Sequence, residues 1–150
     1  MGRPYGRPRR AGTGSWQAGR VPARLRPADP SQVAEASDRL RTAEATPADL
    51  RLLVKHYLAL LQQRAPGGAV EVRVPPYSAV QVIGGTTHKR GTPPAVVEMS
   101  AETWLGLATG ELTWPEAERD GLLLASGERS DLTPHLPLVP GGATGSTSGS

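Results

Sequence analysis

TPADLRLLVKHYLALLQQRAPGGAVEVRV, residues 46–74, joins a long amphipathic helix to a strand with one wet face, and that junction decides the fold class. Thr46 suits an N-cap and Pro47 the first helical position. Asp49 falls in the first turn, where a carboxylate meets the positive end of the helix. Leu50, Leu53, Val54, Tyr57, Leu58 and Leu61 then recur at steps of three and four, with Arg51, Lys55, Gln62 and Gln63 on the other side. This spacing predicts a helix ending near Arg64, because Pro66-Gly67-Gly68 cannot continue it. Strict alternation follows at once. Val70, Val72 and Val74 point one way and Glu71 and Arg73 the other, the pattern of a strand on a half-buried sheet.

Toward the C-terminus, Pro75-Pro76 stops that strand, residues 78–83 resume the alternation, and Gly84-Gly85 turns into a short run at 86–90. Ala95-Val96-Val97-Glu98-Met99 is a further strand. Runs this close in sequence favour an antiparallel meander over parallel strands with long crossovers. Ser100 caps a short helix that reaches Ala108, with Gly110 beyond its end. Thr113, Pro115 and Glu116 open another, and Gly121 closes it. Leu122-Leu123-Leu124-Ala125 reads as a buried strand, apolar on both faces, and Ser130-Asp131-Leu132 starts a last helical turn limited by Pro134 and Pro137. Ahead of the long helix, residues 31–44 form a weaker one through Val33, Ala36, Leu40 and Ala43. Helices and an antiparallel sheet arranged in blocks make the fold class α+β.

The 150 residues are room for one domain. Residues 1–26 hold seven arginines (Arg3, Arg7, Arg9, Arg10, Arg20, Arg24, Arg26) and no acid. The remainder holds ten bases against fourteen acids, so the net charge of +3 and the pI near 9.8 belong to an arm and not to the domain. The first 30 residues, rich in Gly, Pro and Arg, cannot bury enough apolar surface to offset the entropy of ordering; the Gly/Ser tail at 140–150 cannot either. Both are expected to be disordered, around a domain at 31–139. The absence of cysteine excludes a disulfide framework, a thiolate metal site and a cysteine nucleophile. No apolar run approaches the ~20 residues of a membrane-spanning helix. Arg9-Arg10 lacks the apolar stretch an export signal needs, and Gly6 stands where a myristoylation signal wants Ser or Thr, which leaves the cytoplasm as the expected location. Fifteen arginines against two lysines point to a GC-rich, bacterial coding genome.

Motifs for chemistry are thin. His56, His88 and His135 are spread over three elements with no His-x-x-x-His pair, and no Gly-x-Ser-x-Gly elbow occurs. Glu71, Glu98 and Glu102 are scattered, whereas acid–base work needs two carboxylates facing one cleft. No catalytic residue, metal site or cofactor is expected. The densest polar cluster is His88, Lys89 and Arg90 with Thr92, which suits an anionic carboxylate or phosphate through charge-assisted bonds. Arg90 equally suits an ion pair with Glu98 or a solvated position. The leucine stripe on the long helix either packs a core or lines a cavity. The arginine arm suits weak, non-specific contact with nucleic acid or an acidic membrane surface. Its aromatics are Tyr5 and Trp16, too few for a stacking platform, so no specific nucleic-acid partner is expected.

Residues 98–112, Glu-Met-Ser-Ala-Glu-Thr-Trp-Leu-Gly-Leu-Ala-Thr-Gly-Glu-Leu, resemble a stretch of the sterol-carrier-protein superfamily, in which a strand ends in a capped helix carrying an aromatic-Leu-x-Leu-x-Thr-Gly pattern. Ala117, then Gly121 to Gly127, then Asp131-Leu132 continue the likeness, and residues 71–76 and 88–98 resemble its bacterial branch, seen in actinobacteria as small stand-alone proteins. The resemblance covers about residues 46–139. It implies a single curved, mainly antiparallel sheet backed by helices around an apolar tunnel. The implied role is non-catalytic carriage of a lipid, a fatty acyl chain or acyl-CoA. The implied pocket takes Leu53, Tyr57 and Leu61 from the long helix, Trp104 and Leu107 from the helix over the cavity mouth, and one parity of the last strand, Leu122 and Leu124. A rival reading is an accessory domain that positions a substrate or partner for an enzyme, since related folds occur fused to thiol-dependent isomerases.

Overall fold

The computed structural model describes residues 24–84, 95–127 and 130–139. The anion cluster expected at His88, Lys89, Arg90 and Thr92, the run at 86–90, most of the arm and the tail from 140 lie outside the described residues.

Local chemistry starts each helix. Helix α1 (Pro30–Arg41) opens on Asp29, whose carboxylate accepts the N–H groups of Ser31 and Gln32. Helix α2 (Pro47–Arg64) opens on a reciprocal pair. The Thr46 hydroxyl accepts the Asp49 N–H at 3.1 Å, and the Asp49 carboxylate accepts the Thr46 N–H at 3.0 Å. Arg39 of α1 donates to both oxygens of the same carboxylate, at 2.8 and 2.9 Å, so one side chain caps α2 and ties α1 to it. Those bonds from Arg39, aided by the Thr46 N–H, hold the Asp49 carboxyl well below the usual carboxylate range. Residues 24–29, which the sequence assigns to the arm, lie against α2: Leu25 donates its N–H to Gln62 and Ala28 its N–H to His56 Nδ1.

The sheet follows. Strand β1 (Val70–Val74) pairs antiparallel with β2 (Ser78–Val82), with Val72 opposite Val80, and the Tyr77 N–H closes the hairpin on the Val74 carbonyl at 2.9 Å. Strand β3 (Ala95–Met99) lies parallel to β1 on its other side, and β4 (Leu123–Ser126) is antiparallel to β3. The order is β2-β1-β3-β4, a mixed, open sheet. A simple meander is therefore corrected. Alternation shows that a segment is a strand, but nothing local in it says which edge of a hairpin the next strand joins.

Between β3 and β4 stand α3 (Ala101–Thr109), capped by Ser100 and ended by Gly110 at φ +91°, and α4 (Trp114–Arg119), opened by a Thr113–Glu116 capping box. After β4 comes a single 3-10 turn (Thr133–His135), which starts later than the helical turn expected at Ser130 because Asp131 accepts both the N–H and the hydroxyl of Thr133. One face of the sheet, Val70, Val72, Val74, Val80, Val82 and Val97, is fully buried. Helix α2 packs over β2, and α3 packs on α2. The opposite face, with Glu71, Arg73, Gln81, Val96 and Glu98, is half-buried. The architecture is α+β.

The last strand overturns its expectation. Leu122-Leu123-Leu124-Ala125 is no buried strand: β4 is a sheet edge, and Leu124 and Leu122 are 70% and 41% exposed. An all-apolar run carries no alternation, so its sequence cannot distinguish a central strand from an edge.

Candidate ligand-binding interior

The interior is built from α2, α3 and the covered face of the sheet. Steps of three and four along α2 bring Leu53, Tyr57 and Leu61 to one side, and the same spacing on α3 brings Trp104, Leu107 and Ala108 together. Leu53, Leu61, Trp104 and Leu107 are each at most 1% exposed, and all five expected wall residues on the two helices join one apolar cluster with the valines of the sheet. The Trp104 indole N–H donates to the Val54 carbonyl at 3.3 Å, which satisfies its polar atom and fixes the ring against α2. Helix α3 is enclosed on nearly every side: Ala101, Thr103, Trp104, Leu105, Leu107 and Ala108 are buried, and Leu112 folds over Gly106.

Leu122 and Leu124 do not join these walls. Leu124 stands opposite Glu98, on the sheet face away from Val97 and Met99. The pleat turns Leu123 to the interior instead, opposite Met99, where it is half-buried against the core. The expected parity of that strand is thus reversed.

His56 and Tyr57 meet beside the interior. His56 is half-buried, its Nδ1 accepts the Ala28 N–H at 3.0 Å, and burial lowers its pKa. Burial raises that of the neighbouring Tyr57 phenol, whose ring meets the imidazole edge-on at 4.9 Å. His135 sits in the 3-10 turn, where its carbonyl accepts from Arg64 at 3.0 Å. Among the described residues, no three His, Asp or Glu side chains gather as a metal site would require. Walls of Leu, Val and Trp can dissolve a hydrocarbon chain but offer no charge to polarise a bond.

Sequence reading missed three contributors. Trp114 of α4 is buried in the same cluster. Leu132 and Leu138 also enter it, from the stretch around the last turn, where the sequence assigns no core residue; the apolar spacing of Leu132, Leu136 and Leu138 among prolines was its available signal. Among the described residues, no helix is long and apolar enough to cross a membrane.

Residues 46–138 match the family described as the bacterial SCP ortholog. The matched span starts at the Thr46 cap of α2 and takes in both hairpin strands, β3, α3, α4, β4 and the buried Leu138; α1 precedes it. No curated protein matches the chain.

Proposed function

The chain belongs to the bacterial SCP ortholog family, a sterol-carrier-like group, and from that premise we propose that it binds an apolar chain without converting it. The ligand class is a lipid, a fatty acid or acyl-CoA. The supporting observation is the match over residues 46–138, which contains Leu53, Tyr57, Leu61, Trp104 and Leu107 and the buried valines of the sheet. Leu53, Tyr57, Leu61, Trp104 and Leu107 are the contacts in this reading, with Leu123 replacing Leu122 and Leu124. His88, Lys89, Arg90 and Thr92 remain the candidates for an anionic head.

Each buried methylene contributes about 0.8 kcal/mol, so roughly ten of them supply about 8 kcal/mol before ordering costs. A simple chain then binds at about micromolar affinity at best. Titration with oleic acid, followed by tryptophan fluorescence, tests the proposal. Trp104 and Trp114 both report from the interior, so a Trp104→Phe variant separates their signals. The expected result is a saturable change that loses most of its amplitude in Trp104→Phe while binding itself persists. A response unchanged by that substitution would move the ligand away from α3.

A further inference from the structure

We infer that residues 132–138 form a strap that lifts to admit the apolar ligand, an inference that rests on the carrier reading above. Leu53, Leu61, Trp104 and Leu107 are at most 1% exposed, so an element must move before a chain can touch them. The strands are bound into one hydrogen-bonded ladder, so displacing one breaks several bonds at once, and α2 and α3 each bury six or more side chains that would be uncovered together if either moved. The strap is held differently. Among the described residues, its hydrogen bonds to the rest of the fold are the Leu138 N–H to the Ala108 carbonyl at 2.8 Å, and Arg64 Nη1 to the carbonyls of His135 and Pro137 at 3.0 and 2.8 Å. The Arg64 contacts are exposed, so water replaces them as they part. Pro134 and Pro137 have no N–H to tie. The bonds from His135 to Leu132 and from Leu136 to Thr133 lie within the strap and survive its movement.

What lies beneath fits the purpose. Leu132 and Leu138 are the strap's buried side chains, and Leu138 is fastened beside Ala108, one residue from Leu107. Lifting the strap withdraws two leucines from an apolar cluster, and an acyl chain that takes their place restores contacts of the same kind. Arg64, at the last turn of α2, is the clasp.

Arg64→Ala tests the strap in two ways. By hydrogen exchange, the Leu138 amide of the parent should exchange at least about tenfold faster than Val72 in the central strand, and roughly threefold to tenfold faster again in the variant, with Val72 unchanged. By stopped flow with oleic acid, the variant should take up ligand faster by a similar factor. If the parent binds oleic acid and the variant takes it up at the parent rate, the strap is not the entrance, although the carrier reading stands. A Leu138 amide that exchanges only as slowly as Val72 overturns the strap by itself. If neither form binds oleic acid, the carrier reading fails, and the entrance fails with it.

Discussion

Gly67 and Gly121 both hold positive φ, at +143° and +70°, and need glycine for different reasons. A Cβ on Gly67 would come within 2.3 Å of the Gly84 nitrogen and the Ile83 carbonyl carbon, where the end of α2 passes the end of β2. Backbone cannot yield as a side-chain tip can, so Gly67→Ala should cost about 3 kcal/mol or more. Around Gly121 nothing lies within 4 Å, and Gly121→Val should cost only the left-handed strain, about 1–2 kcal/mol. Urea unfolding of the two variants checks the order; equal costs would mean the Gly67 crossing can relax. Asp49 makes a prediction in pH. Its carboxyl is held low by Arg39 and by the Thr46 N–H, so it contributes stability above the ordinary carboxylate pKa of about 3.9, and that contribution is lost as pH falls toward the lower folded value. Asp49→Asn should therefore melt below the parent at pH 7, and the gap should narrow steadily as pH falls from about 4 toward about 2, closing only in stronger acid. A gap of constant size over that range would contradict the ion pair as its source.

Helix boundaries were the most legible elements, because a cap is local chemistry. Thr46 with Asp49, Ser100, and Thr113 with Glu116 all start helices where the residue types place them. Sheet edges were illegible for the opposite reason. Whether β3 joins β1 or β2, and whether Leu124 is covered, depends on partners distant in sequence. The N-terminal boundary carries its own test. Deleting residues 1–29 removes the Asp29 cap and the bonds from Leu25 and Ala28 to α2. A lost cap alone costs about 1 kcal/mol, so the melting temperature should fall by roughly 4–8 °C or more. Deleting residues 1–23 spares all three contacts, and its melting temperature should stay near that of the parent. Equal losses from both deletions would put a stabilising contact within residues 1–23.

For the whole molecule, periodicity and family resemblance together brought the interior into view. Leu53, Tyr57, Leu61, Trp104 and Leu107 were readable because helical spacing turns sequence directly into a face. The bond from Trp104 to the Val54 carbonyl joins residues fifty apart, and the hold of Arg64 on Pro137 joins residues seventy-three apart; no local pattern announces either. An enclosed core of leucine, valine and tryptophan is also what a protein without any ligand would have, so its walls do not by themselves make a carrier. Binding decides. Oleic acid titrated into the full chain, with the recovered lipid analysed by mass spectrometry, should saturate a single site at micromolar concentrations and return chemically unaltered. Absence of binding up to about 1 mM, or a lipid recovered in altered form, would contradict a non-catalytic carrier.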